Sequence, residues 1–230
     1  MTAARPRQPD LQRRALVAGL AAALAAPAPA FAAVTRVPLG DAFLLLEAYL
    51  ALKPLERDRF RFAYRALRNG KPAPDAKVRI VHRDRTSTPL AFDADGWVTT
   101  LPTLDEIKRR DSFEVDGPPL DFALELRATM APADRLPVRE LTGTLAQVNA
   151  AIISFAGGDA GAVSRLTCIY FPDAGAGRAI LESGEERPLK SFDFKLIGPT
   201  PYFEPRATPH ATSIALARAP SRILLAGPPR

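Results

Sequence analysis

The sequence predicts a mainly β, α+β protein, and three observations support that prediction. Proline is 23 of the 230 residues, about twice the usual share, and its short spacing disfavours a helical bundle. Several short segments alternate apolar and polar residues, which is typical of half-buried strands. One long segment, 138–155, has apolar residues three or four apart. We therefore expect an antiparallel β-sandwich-like lobe over 33–134, and a second lobe over 135–230 built from one central helix and antiparallel strands.

Residues 1–32 have the three parts of an export signal peptide. The arginine pair Arg13-Arg14 precedes an apolar run over 15–26, and a small-residue cleavage site ends at Ala32. The arginine pair resembles the twin-arginine export motif, and the general secretory route is the alternative. The apolar run is about twelve residues long, short of the roughly 20 that span a bilayer. We therefore expect a periplasmic or secreted protein without a retained transmembrane helix.

The first element expected after the signal is a short helix from Asp41 to Leu52. Asp41 can cap its start, and Lys53-Pro54 ends it because proline cannot continue a helix. The segment is apolar on nearly every side, so we expect it to be buried.

The clearest strand of the chain begins at Arg59. Phe60, Phe62 and Tyr64 alternate there with arginines, so the aromatic rings share one face of the strand and the arginines share the other. Further strands are expected at 77–83, 88–92, 97–101 and 120–127. The turn at 93–96 is expected to join 88–92 and 97–101 as a hairpin.

Two turns in this region share the pattern of a known repeat. Asn69–Val78 holds a Gly-Lys-Pro turn before an Ala-x-Val strand, and Asp93–Trp97 holds an Asp-x-Asp-Gly turn. Residues 60–102 in this respect resemble the carboxypeptidase regulatory-like or transthyretin-like β-sandwich repeat, and the whole chain resembles an exported bacterial protein. The resemblance implies an extracytoplasmic accessory fold without catalytic residues of its own.

The C-terminal part is expected to begin with the helix over 138–155, which Gly157-Gly158 ends. Its apolar residues are Val138, Leu141, Leu145, Val148, Ile152 and Phe155. Strands are then expected at 165–171, 178–182, 191–197, 212–218 and 222–226. Residues 219–221 are expected to turn the last two strands against each other.

Few residues of the chain suit catalysis or metal binding. Cys168 is the only cysteine, which excludes an intramolecular disulfide, and strand alternation beside Leu166 and Tyr170 predicts a buried structural thiol. The only histidines are His82 and His210, so neither a zinc-binding spacing nor a hydrolase triad is recognisable. We expect no metal, no cofactor and no catalytic residues, although a hydrolase with an unrecognised carboxylate site is one alternative.

Arginines supply the candidate binding residues. We select Arg59, Arg61, Arg65 and Arg79, with Trp97 as an aromatic neighbour. Arginine favours anionic partners because its planar fork binds phosphate or carboxylate through two hydrogen bonds. The alternative is that these arginines form only a solvated strand face.

The export signal and the charge limit the possible partners. Without residues 1–32 the chain loses four arginines and one aspartate, and its formal charge falls from +6 to +3. This small charge, outside the cytoplasm, disfavours nucleic acid. We expect a non-catalytic cell-envelope protein that binds a partner protein or supports an assembly. The alternative is a module that binds carbohydrate or lipid, with an anionic glycan or lipid at the arginine face.

Overall fold

The structure is a computed structural model that describes residues 34–158, 164–194 and 197–229. Within these ranges the chain forms fifteen strands and four α-helices, and every strand pairing is antiparallel. The predicted mainly β, α+β class is therefore confirmed. The export signal expected at 1–32 lies outside the described residues. None of the described helices is both long enough and apolar enough to cross a membrane.

The strands, in chain order, are β1 (Val34–Pro38), β2 (Phe60–Arg68), β3 (Lys71–Pro72), β4 (Val78–Val81), β5 (Ser87–Leu90), β6 (Ser112–Asp116), β7 (Asp121–Ala128), β8 (Arg135–Pro137), β9 (Cys168–Tyr170), β10 (Gly177–Leu181), β11 (Glu186–Pro188), β12 (Lys190–Phe194), β13 (Gly198–Phe203), β14 (Ala211–Leu216) and β15 (Leu224–Ala226). The helices are α1 (Leu39–Ala42), α2 (Leu46–Ala51), α3 (Leu104–Lys108) and α4 (Val138–Phe155).

These strands build three sheets. Sheet I has the order β1-β6-β4-β5, sheet II the order β12-β13-β9-β15-β7-β2-β3, and sheet III the order β11-β10-β14-β8. Sheet II combines strands from both sides of residue 134, where we place the boundary between the expected lobes. The division into two lobes stays a prediction.

Aromatic side chains fill the space between sheet II and the first helices. Phe60, Phe62 and Tyr64 of β2 are buried, which confirms the predicted alternation. The Tyr49 ring of α2 stacks on Phe62 with 4.4 Å between ring centroids. Phe43, which follows α1, packs edge-on against Tyr64 at 5.1 Å. Offset and edge-on aromatic pairs such as these add stability beyond the area that they bury.

The helix expected over 41–52 is divided in two. Leu45 adopts a left-handed conformation with φ 64°, which ends α1 and its following turn before α2 begins. The predicted burial holds for Leu46 and Tyr49, but Leu44 is 64% exposed. The expectation of one continuous buried helix was therefore wrong, because a segment that is apolar on all sides cannot bury every side chain against a single core.

One predicted strand pairing is confirmed only in part, and another is wrong. The turn at 93–96 forms, and next to it Phe92 bridges Val98, Asp93 donates to Trp97 O and Thr99 donates to Ala91 O. Farther from the turn, β5 pairs with β4 and not with residues 99–101. The last two strands lie in different sheets, because Ala217 and Ser221 hydrogen-bond to the loop at 172–176 and carry the chain from β14 of sheet III to β15 of sheet II.

Helix α4 has the bounds that its periodicity predicts. Val138, Leu141, Leu145 and Val148 are buried, and the helix packs against β2 of sheet II and against β8 and β14 of sheet III. It therefore connects two sheets by filling one continuous core.

The prediction of a buried structural thiol is also confirmed. Cys168 is fully buried on the other face of sheet II, beside Tyr170, Tyr202 and Leu224. Burial raises the pKa of this thiol, since the thiolate would lose its hydration there. Cys168 is therefore protonated and unreactive at neutral pH.

Candidate functional site

An open groove with a volume of about 1010 Å³ lies on the outer face of sheet I. Val78, Ile80, Phe113 and Val115 of β4 and β6 are buried in the core, so the intervening residues of these strands face the groove. The lining residues are Arg36, Arg79, Val81, His82, Arg83, Arg85, Ser87, Lys108, Arg109, Arg110, Ser112 and Glu114. We call this site the cationic groove, because seven of these side chains are lysine or arginine.

The strand register places two of the groove arginines beside a single carboxylate. Glu114 of β6 lies opposite Arg36 of β1 on one side and Arg79 of β4 on the other. Its two carboxylate oxygens are 2.8 Å from Arg36 Nη2 and 2.9 Å from Arg79 Nη2. Glu114 therefore orients both guanidinium groups and neutralises one of them.

The turn between β4 and β5 presents two more arginines, Arg83 and Arg85. The amide of Arg85 donates to the carbonyl of His82 at 3.0 Å, and Arg85 adopts a left-handed conformation with φ 72°. The Asp84 carboxylate accepts hydrogen bonds from the hydroxyl and the amide of Thr86, which lower the pKa of Asp84. These bonds fix the turn, and both arginine side chains stay exposed at the rim of the groove.

Helix α3 supplies the remaining cations at its C-terminal end. Thr103 and Glu106 form a capping box that starts the helix. The helix ends in a Schellman motif, in which Arg110 donates to Ile107 O at 2.9 Å and Asp111 donates to Glu106 O at 3.1 Å. Lys108, Arg109 and Arg110 project around this end, where positive charge also complements the helix dipole.

Positive charge is in excess in the groove. Among the residues that the structure describes, no carboxylate lies within 4 Å of Arg83, Arg85, Lys108 or Arg110. Their donors are therefore available to solvent or to an anionic ligand. Several phosphate, sulfate or carboxylate groups can be bound side by side, each through charge-assisted hydrogen bonds.

The predicted binding residues do not form one surface. Arg79 lines the cationic groove, whereas Arg61 and Arg65 lie on the outer face of sheet II. The Arg65 guanidinium lies 5.1 Å from the centroid of the Trp97 ring. Arg59 contacts helix α4, since a Cβ at Gly143 would lie only 2.5 Å from its Nη1. The structure thus brings Arg65 and Trp97 together and keeps Arg59 and Arg79 apart from them.

The Trp97 ring packs against a second set of arginines inside the protein. Its residue is 9% exposed, and Arg127 lies only 3.7 Å from the ring centroid, in cation–π contact. Burial lowers the pKa of Arg127, and the neighbouring Glu125 opposes that shift. Glu125 also accepts from Arg222 at 3.1 Å. Little of the Trp97 ring is left for stacking against a ligand.

Several groove residues were missed by sequence reasoning. Lys108, Arg109 and Arg110 are consecutive, and this basic run was a signal that could have indicated them. Arg36 had no such signal, because only the pairing of β1 with β6 brings it to Arg79.

Comparison of the chain with family models, curated proteins and solved structures found no match. The described residues contain no group of three or more His, Cys, Asp or Glu side chains that could hold a metal ion. The candidate site is therefore assigned from its geometry and charge.

Proposed function

We propose that this chain is an exported cell-envelope protein that binds an anionic glycan in the cationic groove. The observation that supports this function is the lining of the groove, seven cations to one carboxylate, Glu114. The export signal expected at 1–32 supports a location outside the cytoplasm, where an anionic glycan is an available partner.

The shape and chemistry of the groove favour a polar polymer over a lipid surface. Val81 is the only large apolar side chain in its lining, and a membrane surface would require apolar side chains beside the cations. Its volume of about 1010 Å³ is at the upper end of ordinary ligand sites, which run from about 300 to 1,000 Å³. A chain of several negatively charged sugars fits such a groove.

The experiment is a calorimetric titration of the purified protein with dextran sulfate, with neutral dextran as the uncharged control. The test variant combines Arg83→Glu, Arg85→Glu and Arg110→Glu. The matched control combines Arg135→Glu, Arg139→Glu and Arg206→Glu, which are exposed arginines outside the groove lining. We expect the groove variant to lose at least about tenfold in affinity, corresponding to 1.4 kcal/mol, while the control stays near the wild type.

Salt and lipid provide two further readouts. Dextran sulfate binding should weaken at high salt, because exposed charge pairs are screened. Equal loss of affinity in both charge-reversed variants would show that net charge alone attracts the polymer, and would overturn the groove as the site. Binding to phosphatidylglycerol vesicles without binding to dextran sulfate would replace the glycan by a lipid.

A further inference from the structure

A hydroxyl, an imidazole and a buried carboxylate lie in series at the edge of sheet I. Thr88 Oγ1 of β5 is 2.9 Å from His82 Nε2, and His82 Nδ1 is 2.8 Å from Asp111 Oδ2. His82 follows β4, and Asp111 stands between α3 and β6. We propose that these three residues form a nucleophile–base–carboxylate triad that transfers acyl groups from carboxylic esters.

The hydrogen bonds of Asp111 fix the proton positions that such a triad needs. The Asp111 side chain is 0% exposed, and it also accepts from the Arg83 amide at 3.3 Å and from Arg109 Nη2 at 3.4 Å. An ionised carboxylate only accepts, so His82 Nδ1 carries a proton and donates it. In the neutral imidazole Nε2 then has a lone pair, and the Thr88 hydroxyl donates to it. This is the ground-state arrangement of a nucleophile with its general base.

Each member is held by rigid backbone, as a catalytic site requires. Thr88 pairs with Ile80 in the β4–β5 ladder. The amide of His82 donates to Thr86 O at 2.9 Å. Asp111 closes the Schellman motif of α3 and accepts at its own carbonyl from Leu39.

The triad opens towards solvent and towards the cationic groove. The His82 side chain is 17% exposed and lines the groove, and Thr88 is exposed at the edge strand. Arg83 and Arg85 line the same groove as His82, so positive charge is available to stabilise an oxyanion.

The reaction balances with an ester and water. Thr88 Oγ1 forms a bond to the carbonyl carbon while its proton passes to His82 Nε2. The carbon–oxygen bond of the leaving alcohol breaks, and that alcohol takes the proton from Nε2. Water then attacks the Thr88 ester and gives a proton to Nε2; the carboxylic acid leaves, and the proton returns to Oγ1.

The substrate class follows from the neighbourhood of the triad. The cationic groove selects an ester carried on an anionic molecule, and this part of the inference rests on the proposed function. The chemistry itself does not, because a neutral ester can reach Thr88 from solvent. A neutral reagent therefore tests the triad separately from the groove.

The test is covalent labelling by a fluorophosphonate probe, together with release of p-nitrophenol from p-nitrophenyl acetate. We expect labelling at Thr88, located by peptide mass spectrometry, and its loss in Thr88→Val. Thr88→Ser should keep it. His82→Gln should slow both reactions by at least about a hundredfold, the usual contribution of a general base. Asp111→Asn should lower the rate and change its pH profile, which identifies a positioning residue.

The matched control is Thr99→Val, which removes an exposed hydroxyl that bonds to the Ala91 carbonyl and lies outside the groove lining. It should label like the wild type. Labelling that persists in Thr88→Val, or that the wild type never shows, would overturn the triad. So would an equal loss in Thr99→Val, since the cause would then be the local fold and not the Thr88 hydroxyl. Dextran sulfate binding, measured on the same Thr88→Val protein, should be unchanged and keeps the two proposals distinguishable.

Discussion

Arg85 and Arg110 both adopt a left-handed backbone conformation at the cationic groove, with φ values of 72° and 59°. A residue with a Cβ loses roughly 1 kcal/mol there relative to glycine. Glycine or asparagine is the usual choice at a hairpin turn and after a helix C-cap. Arginine at both positions therefore gives a less stable backbone than glycine would, and it places a guanidinium at the groove.

This strain leads to the first prediction. Arg110→Gly should raise the free energy of unfolding by about 1 kcal/mol, because glycine relaxes the left-handed residue. The same change should weaken dextran sulfate binding, since one unpaired cation is lost. Urea denaturation and calorimetric titration measure the two effects.

Arg139→Gly is the matched control for Arg110→Gly. Arg139 lies in the first turn of α4, where glycine should lower stability by up to about 1 kcal/mol and leave dextran sulfate binding unchanged. An Arg110→Gly protein that is less stable than the wild type would contradict the conclusion that the backbone of Arg110 is strained.

Helix α3 is only five residues long, yet it sets the position of three groove cations. So short a helix is not stable by itself and depends on its caps and its packing. Thr103 accepts from the Glu106 amide, Glu106 returns a bond of 2.7 Å to the Thr103 amide, and Ile107 is buried in the core. The cap therefore determines where the basic end of α3 lies.

The second prediction concerns this cap. Thr103→Ala should lower the free energy of unfolding by about 1 kcal/mol, since the first turn loses its side-chain acceptor. Thr103→Ser keeps the hydroxyl and should restore most of that stability. Both are measured by urea denaturation. Equal stability of Thr103→Ala and the wild type would show that packing of Ile107 alone holds the helix.

Long elements with a regular apolar pattern were predicted well from the sequence. β2 and α4 each bury one regular face, so their own residues determine their structure. β6 was missed, because Ser112–Asp116 is short and becomes a strand only between β1 and β4. The hairpin of 88–92 with 97–101 forms only next to its turn, since β4 is the partner that β5 takes.

The candidate site was predicted only in part, and its residues explain why. Arg79 was identified because it lies in an alternating strand. His82 was noted as one of two histidines, but Thr88 and Asp111 gave no local signal. Strand pairing and the end of α3 bring these three together, and no spacing along the chain encodes that contact.

At the scale of the whole molecule, the core contains tyrosines whose side chains are buried away from water. The Tyr64 hydroxyl donates to the carbonyl of Leu44, and burial raises the pKa of Tyr64 well above its ordinary value, with a smaller effect from Tyr49. Burial raises the pKa of Tyr170 in the same direction. Ionisation of either phenol therefore lowers the stability of the folded protein.

The third prediction follows from this linkage. In the unfolded chain these phenols ionise near pH 10, below their pKa in the folded protein. Their contribution to stability is thus complete below pH 10 and is lost as the pH rises further. We expect the free energy of unfolding, measured by urea denaturation, to fall from about pH 10 upwards.

A phenylalanine variant separates the ionisation of Tyr64 from other causes of lost stability at alkaline pH. Tyr64→Phe should be less stable at pH 8 by about 1 kcal/mol, because its hydrogen bond to Leu44 is lost. Its free energy of unfolding should also decline less steeply above pH 10 than that of the wild type. A decline as steep as that of the wild type would assign the alkaline loss to other groups.

The position of β15 in the middle of sheet II affects how the protein is made. This strand lies between β9 and β7, and Arg222 just before it pairs with Glu125, 97 residues earlier in the chain. Sheet II therefore cannot close while residues 224–226 are still inside the ribosome. A polypeptide truncated before Leu224 would leave β7 and β9 as open edges in the centre of the sheet, where other chains can pair and aggregate. A message that stops before Leu224 should thus yield a product that aggregates and does not complete sheet II.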